Sequence, residues 1–134
     1  MKLLLDTNTL SYILRNRQPV VDRLEHATRQ GDSFLIAAVV HYELSRYLRL
    51  KDATRLLQVY AELVGGWQPC DLSFEDWNDA AALWAELHRA GRAISDMDLL
   101  LAVLARKHQA VLVTSNTKHF EDLGLALADW TLPQ

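Results

Sequence analysis

Three unbroken aliphatic runs, "KLLL" at 2–5, "SFLIAAVV" at 33–40 and "AVLVTSN" at 110–116, are separated by long stretches with apolar residues at helical spacing. A strand that is apolar at every position has no face to offer to water, so both faces must be covered. A parallel sheet between helices meets that condition. The expectation is an α/β domain with a central, mostly parallel β-sheet flanked by α-helices. With 134 residues, half of them hydrophobic, one domain spanning 1–134 is expected.

Helical periodicity fills the intervals. Leu10, Ile13 and Leu14 follow the first run, with Thr7, Asn8 or Thr9 as the expected N-cap. Pro19 precedes "VVDRLEHATRQ", which Gly31 stops. In "AAVVHYELSRYLRLK" the residues Val40, Leu44, Tyr47 and Leu48 form one stripe, which leaves Glu43 on its flank. A further helix is expected over roughly 52–64, ended by Gly65 and Gly66, and Pro69 marks "WQPCDLS" as an edge strand. Ser73 is the expected cap of a helix buried through Phe74, Trp77, Ala81, Trp84 and Leu87 or His88. "MDLLLAVLARKHQ" is too apolar to be half exposed.

Bulk properties exclude several classes. The lone Cys70 rules out an internal disulfide and a cysteine-based zinc site, as expected of a reducing cytosol. The leucines before Asp6 are too few for a signal peptide or membrane span, so a cytoplasmic location without membrane contact is expected. A net charge of −3 gives no global attraction to nucleic acid. Binding RNA would need a local basic surface, and Arg46, Arg49, Lys51 and Arg55 form the densest basic stretch. No phosphate-cradling glycine loop and no serine-hydrolase elbow is present. The five histidines lack ligand spacing and are assigned no catalysis. The four tryptophans read as core or interface residues.

Each acidic candidate has an ordinary structural explanation. Asp is common where a strand yields to a helix, as at Asp6, and Glu43 could pair with Arg46. Ser95 with Asp96 and Asp98 would cap the next helix. Taken together they say more, because Asp6, Glu43 and Asp98 all stand at edges of apolar elements, and the C-terminal ends of parallel strands are where such edges converge. Carboxylates gathered at one place repel unless some are protonated or a cation binds. A hard divalent ion, Mg2+ or Mn2+, takes oxygen ligands and keeps its waters, and it suits phosphodiester hydrolysis.

The motifs "LLLDTNTLSYIL", "AAVVHYEL", "ISDMDLLLAVLA" and "LVTSNTKHFEDLGLALADW" resemble, in order and spacing, the PIN-domain ribonucleases, specifically the VapC-type toxins of toxin–antitoxin systems. The resemblance spans nearly the whole chain. It implies a metal-dependent endoribonuclease, usually a homodimer, neutralised by a VapB-type antitoxin in a hetero-oligomer. By position it implies Asp6, Glu43 and Asp98 as ligands of Mg2+ or Mn2+, with Thr114 and Asn116 positioning the substrate phosphate. Many family members carry a fourth acid where this chain has Asn116, which puts a second ion in doubt and leaves Asp96 as a possible accessory ligand.

Two other readings remain at this level. An aspartate-nucleophile phosphatase is loosely suggested by "DTNTL", although Asn8 and Leu10 stand where its motif needs an acid and a threonine. A non-catalytic cation-binding receiver or interaction domain would place a lysine at the end of a late strand, where "LVTSN" has none.

Overall fold

The computed structural model describes residues 1–133. Its elements, in chain order, are β1 (Lys2–Leu5), α1 (Thr7–Leu14), α2 (Val20–Arg29), β2 (Ser33–Ala37), α3 (Ala38–Leu50), α4 (Thr54–Val64), β3 (Gln68–Cys70), α5 (Phe74–Arg89), α6 (Asp96–His108), β4 (Val111–Val113), a single 3-10 turn (Thr117–Phe120) and β5 (Ala126–Ala128). The strands form one sheet in the order β3-β2-β1-β4-β5, and every pairing is parallel. The α/β expectation is met. Strand β1 lies at the centre, and the connections leave it toward opposite sides of the sheet, so its junction with β4 is the topological switch point.

Burial explains this arrangement. Leu3, Leu4, Leu5, Leu35, Ile36, Leu112 and Val113 are all buried, as central parallel strands covered on both faces require. Helix α6 is buried at Leu99 and from Leu101 through Ala105, nearly all round, as its composition predicts. Pro69 lies in edge strand β3, where a missing amide costs no ladder bond. Trp67 stacks on Phe34 at 4.9 Å, and Trp130 is buried. Among the described residues no helix is long and apolar enough to cross a membrane.

Helix α5 departs from expectation. Its inward face is Asp76, Ala80, Leu83 and Leu87, whereas Phe74, Trp77 and Trp84 are exposed. Two stripes satisfy the same helical period, and a polar tether selects between them. Ser73 and Asp76 form a reciprocal capping box, and the Lys107 ammonium at the end of α6 donates to Asp76 at 2.6 Å. That pair turns α5 so that Ala80, Leu83 and Leu87 face inward, while Ala81, expected inward, and the large aromatics face solvent. The helix after Asp52 starts at Thr54, and the last segment contributes β5, an element its sequence did not announce.

Candidate active site at the end of the central strand

One residue separates β1 from α1. Asp6 has extended backbone angles, and its Oδ1 accepts a hydrogen bond from the Thr9 amide at 2.8 Å. The N-cap is therefore Asp6 itself, not Thr7, Asn8 or Thr9. Only a residue at that point has a side chain that folds back over the first free amides of the helix. Its own amide donates to the Val113 carbonyl of β4 at 3.1 Å, and the Thr9 hydroxyl donates to the same carbonyl at 3.2 Å. Asp6 is thus pinned at the switch point.

The carboxylate is 8% exposed. Burial holds its pKa above the usual aspartate value, and the Asp98 carboxylate pushes in the same direction. The polar groups of Thr114 and Thr9, which face the carboxylate, pull it back. Thr114, immediately after β4, is fully buried, and its Oγ1 also accepts the Asn116 amide at 3.0 Å. Together these contacts tie the end of β4 to the end of β1.

Asp98 comes from the first turn of α6. Ser95 caps that helix by accepting the Asp98 amide at 3.2 Å, as expected. The Asp98 side chain does not share in the cap, and its Oδ2 lies 3.1 Å from Nδ1 of His119. No spacing or motif singles out His119, which reaches Asp98 only because the 3-10 turn after β4 folds back over the start of α6. The Arg92 guanidinium donates to the His119 carbonyl at 3.4 Å and supports that turn.

A cleft of about 700 Å³ opens here, and Asp6, Glu43, Asp98 and Asn116 all line it. Half-buried Glu43 is supplied by α3, whose inward positions Val40, Leu44 and Leu48 are buried. Tyr47, expected in that stripe, is instead 51% exposed and lines the cleft. Of the basic stretch, Arg46 and Lys51 line the cleft, whereas Arg49 and Arg55 are exposed outside it. Asp96 is exposed and also lies outside. Arg15, at the C-cap of α1, also lines the cleft. No spacing in the sequence links Arg15 to Arg46, because the packing of α1 against α3 brings them to one opening.

Among the described residues no three acidic, histidine or cysteine side chains form a ready-made cation cage. The donors are nevertheless all oxygen, and two of them, Asp6 and Asp98, are close enough to repel. A hard ion that keeps most of its waters needs only one or two carboxylates, and it would relieve that repulsion. The residues present fit such an ion.

The PIN domain family matches residues 3–125. The chain is 26% identical over 136 residues to ribonuclease VapC1 of Haemophilus influenzae strain R2866, covering 96% of this chain and 97% of that protein. It is 26% identical over 132 residues to the tRNA(fMet)-specific endonuclease VapC of Shigella flexneri, covering 98% and 99%. In three dimensions it is similar to a chain of VapBC2 from Rickettsia felis, solved bound to a DNA fragment from its promoter, with a TM-score of 0.86 at 26% identity, covering 97% and 99%. DNA-bound VapBC from Salmonella typhimurium gives 0.82 at 25% identity, covering 97% and 98%. With nearly the whole sheet and the strand-end acid inside the matched region, this chain belongs to the PIN-domain family.

Proposed function

We propose that this chain is the toxin of a toxin–antitoxin pair, a Mg2+- or Mn2+-dependent endoribonuclease acting in the cytoplasm. The observation that carries the reading is the buried Asp6 beside Asp98 at the end of the central strand, opening into a cleft that also holds Glu43 and Asn116. The names of its relatives, ribonuclease and tRNA endonuclease, support the substrate class.

Asp6 and Asp98 would hold the ion, with Glu43 as a further ligand or as the base that takes the proton of the attacking water. When bound, such an ion polarises a phosphate oxygen and lowers the pKa of water. The remaining work falls to the chain. Asn116 orients the scissile phosphate through its amide, while Thr114 fixes the Asp6 carboxylate from below. His119 holds the Asp98 side chain in position. Arg15, Arg46 and Lys51 neutralise flanking phosphates at the rim of an otherwise acidic cleft.

The solved VapBC complexes also support a VapB-type antitoxin as the partner of this chain; that the hetero-oligomer is built on a toxin homodimer belongs to the same proposal. Purified protein should cleave RNA when magnesium or manganese is added and not after chelation. An Asp6→Asn protein that still cut at the wild-type rate would overturn the mechanism.

A further inference from the structure

Glu43 and Tyr47 on helix α3, and Lys51 at its C-cap, recur every fourth position, and all three line the cleft. Successive members are therefore about 6 Å apart along one face of the helix. Read outward from Asp6 and Asp98, the wall presents an acid, then an aromatic ring, then an ammonium group. Tyr47 is 51% exposed despite its size, and the Lys51 Nζ lies 5.2 Å from its ring centroid. Arg46, beside it, lies over the exposed ring of Tyr42 at 4.9 Å. Exposed tyrosine next to cations suits an unpaired base and its phosphate, because every base has a face to stack and every phosphate a charge to meet.

We infer that Tyr47 is the stacking platform for the base next to the scissile phosphate, and that Lys51 binds the phosphate that follows it. This rests on the ribonuclease reading for the position of the cut. The subsite itself rests on the wall of α3. It accepts a nucleotide only where the base is unstacked from its neighbours, since a paired base keeps its face covered. An acidic or apolar peptide is the competing occupant, but three cations at the rim and a half-open ring favour a nucleotide.

The test uses the full chain carrying Asp6→Asn, with magnesium present, so that binding is read without cleavage. The probes are a short fluorescein-labelled single-stranded RNA of random sequence and an abasic ribose-phosphate oligomer of equal length. Tyr47→Ala should lower the ratio of RNA affinity to abasic affinity by about tenfold, and Tyr47→Trp should restore it. Lys51→Ala should reduce the slope of log affinity against log salt by about 0.7, while Tyr47→Ala leaves the slope unchanged. An affinity ratio that does not change in Tyr47→Ala overturns the inference. So does an unchanged ratio accompanied by loss of binding to a VapB-type antitoxin, which would assign the wall to a protein partner. Cleavage of the same RNA by the unmutated chain is scored separately. A protein that fails to cut but shows the Tyr47 effect loses the nuclease reading and keeps the subsite.

Discussion

The Thr9 amide donates to Asp6 Oδ1 at 2.8 Å, so one carboxylate both ends the central strand and begins the first helix. Its burial beside Asp98 raises its pKa and comes at a cost to the fold. An acid whose folded pKa lies above its unfolded value stabilises the fold below the unfolded value, near 3.8, and loses that contribution as pH rises through the folded value. At neutral pH the ionised Asp6 is therefore a liability.

Asp6→Asn should abolish RNA cleavage and yet raise the melting temperature in metal-free neutral buffer, because the amide oxygen still caps Thr9 and the charge is gone. Asp6→Ala should abolish cleavage and lose about 1 kcal/mol relative to Asp6→Asn, the usual value of an N-cap. Magnesium should stabilise the unmutated protein more than either variant. Thermal melts with and without chelator measure all three, and a destabilised Asp6→Asn protein would contradict the account.

His119 touches Asp98 at 3.1 Å but is itself more than half exposed. On the proposed mechanism it positions an acid and carries no chemistry of its own. His119→Ala should lower the cleavage rate about tenfold, within the range typical of groups that orient metal ligands, and raise the magnesium concentration needed for half-maximal rate. Asp98→Asn should cost far more. Rates measured across a magnesium titration separate the two, and equal losses would remove the distinction.

The Ser73–Asp76–Lys107 group sets the rotation of α5. The Lys107 ammonium and the Ser73 amide hold Asp76 below the usual aspartate pKa. A depressed folded pKa stabilises above the unfolded value of 3.8 and is lost as pH falls through the lower folded value. Asp76→Asn should therefore flatten the acid limb of a denaturation-against-pH profile. Ser73→Ala should cost about 1 kcal/mol in denaturant unfolding. Both variants should also shift the fluorescence of the exposed Trp77 and Trp84, and unchanged emission would argue against the tether.

Cys70 is buried at the end of β3, and burial, with help from Asp71 and against Lys107, pushes its thiol up to about 11. A thiol so raised is neutral and inert near pH 8. It should react with iodoacetamide only on global unfolding, so labelling in native buffer should be slower than in denaturant by orders of magnitude. Rapid native labelling would show that the β3 edge opens locally.

Much of this protein was readable in the chain itself. Continuous aliphatic runs required a covered parallel sheet, and the placement of Asp6 and Thr114 just past strand ends followed from where those runs stop. The burial of α6 followed from its composition. These are local signals, carried by residues adjacent in sequence. Tertiary structure decided the rest. The face that α5 buries depended on an ion pair between residues 31 positions apart, because period alone allowed two stripes. His119 meets Asp98 across 21 positions, and Arg15 meets the basic wall of α3 only through helix packing. Capping by Asp6 was a matter of one residue, settled when its amide paired with Val113 of β4. Periodicity and composition report what a segment prefers to bury, whereas the partner that satisfies a given polar group is chosen by contacts distant in sequence, and the cleft is made of such contacts.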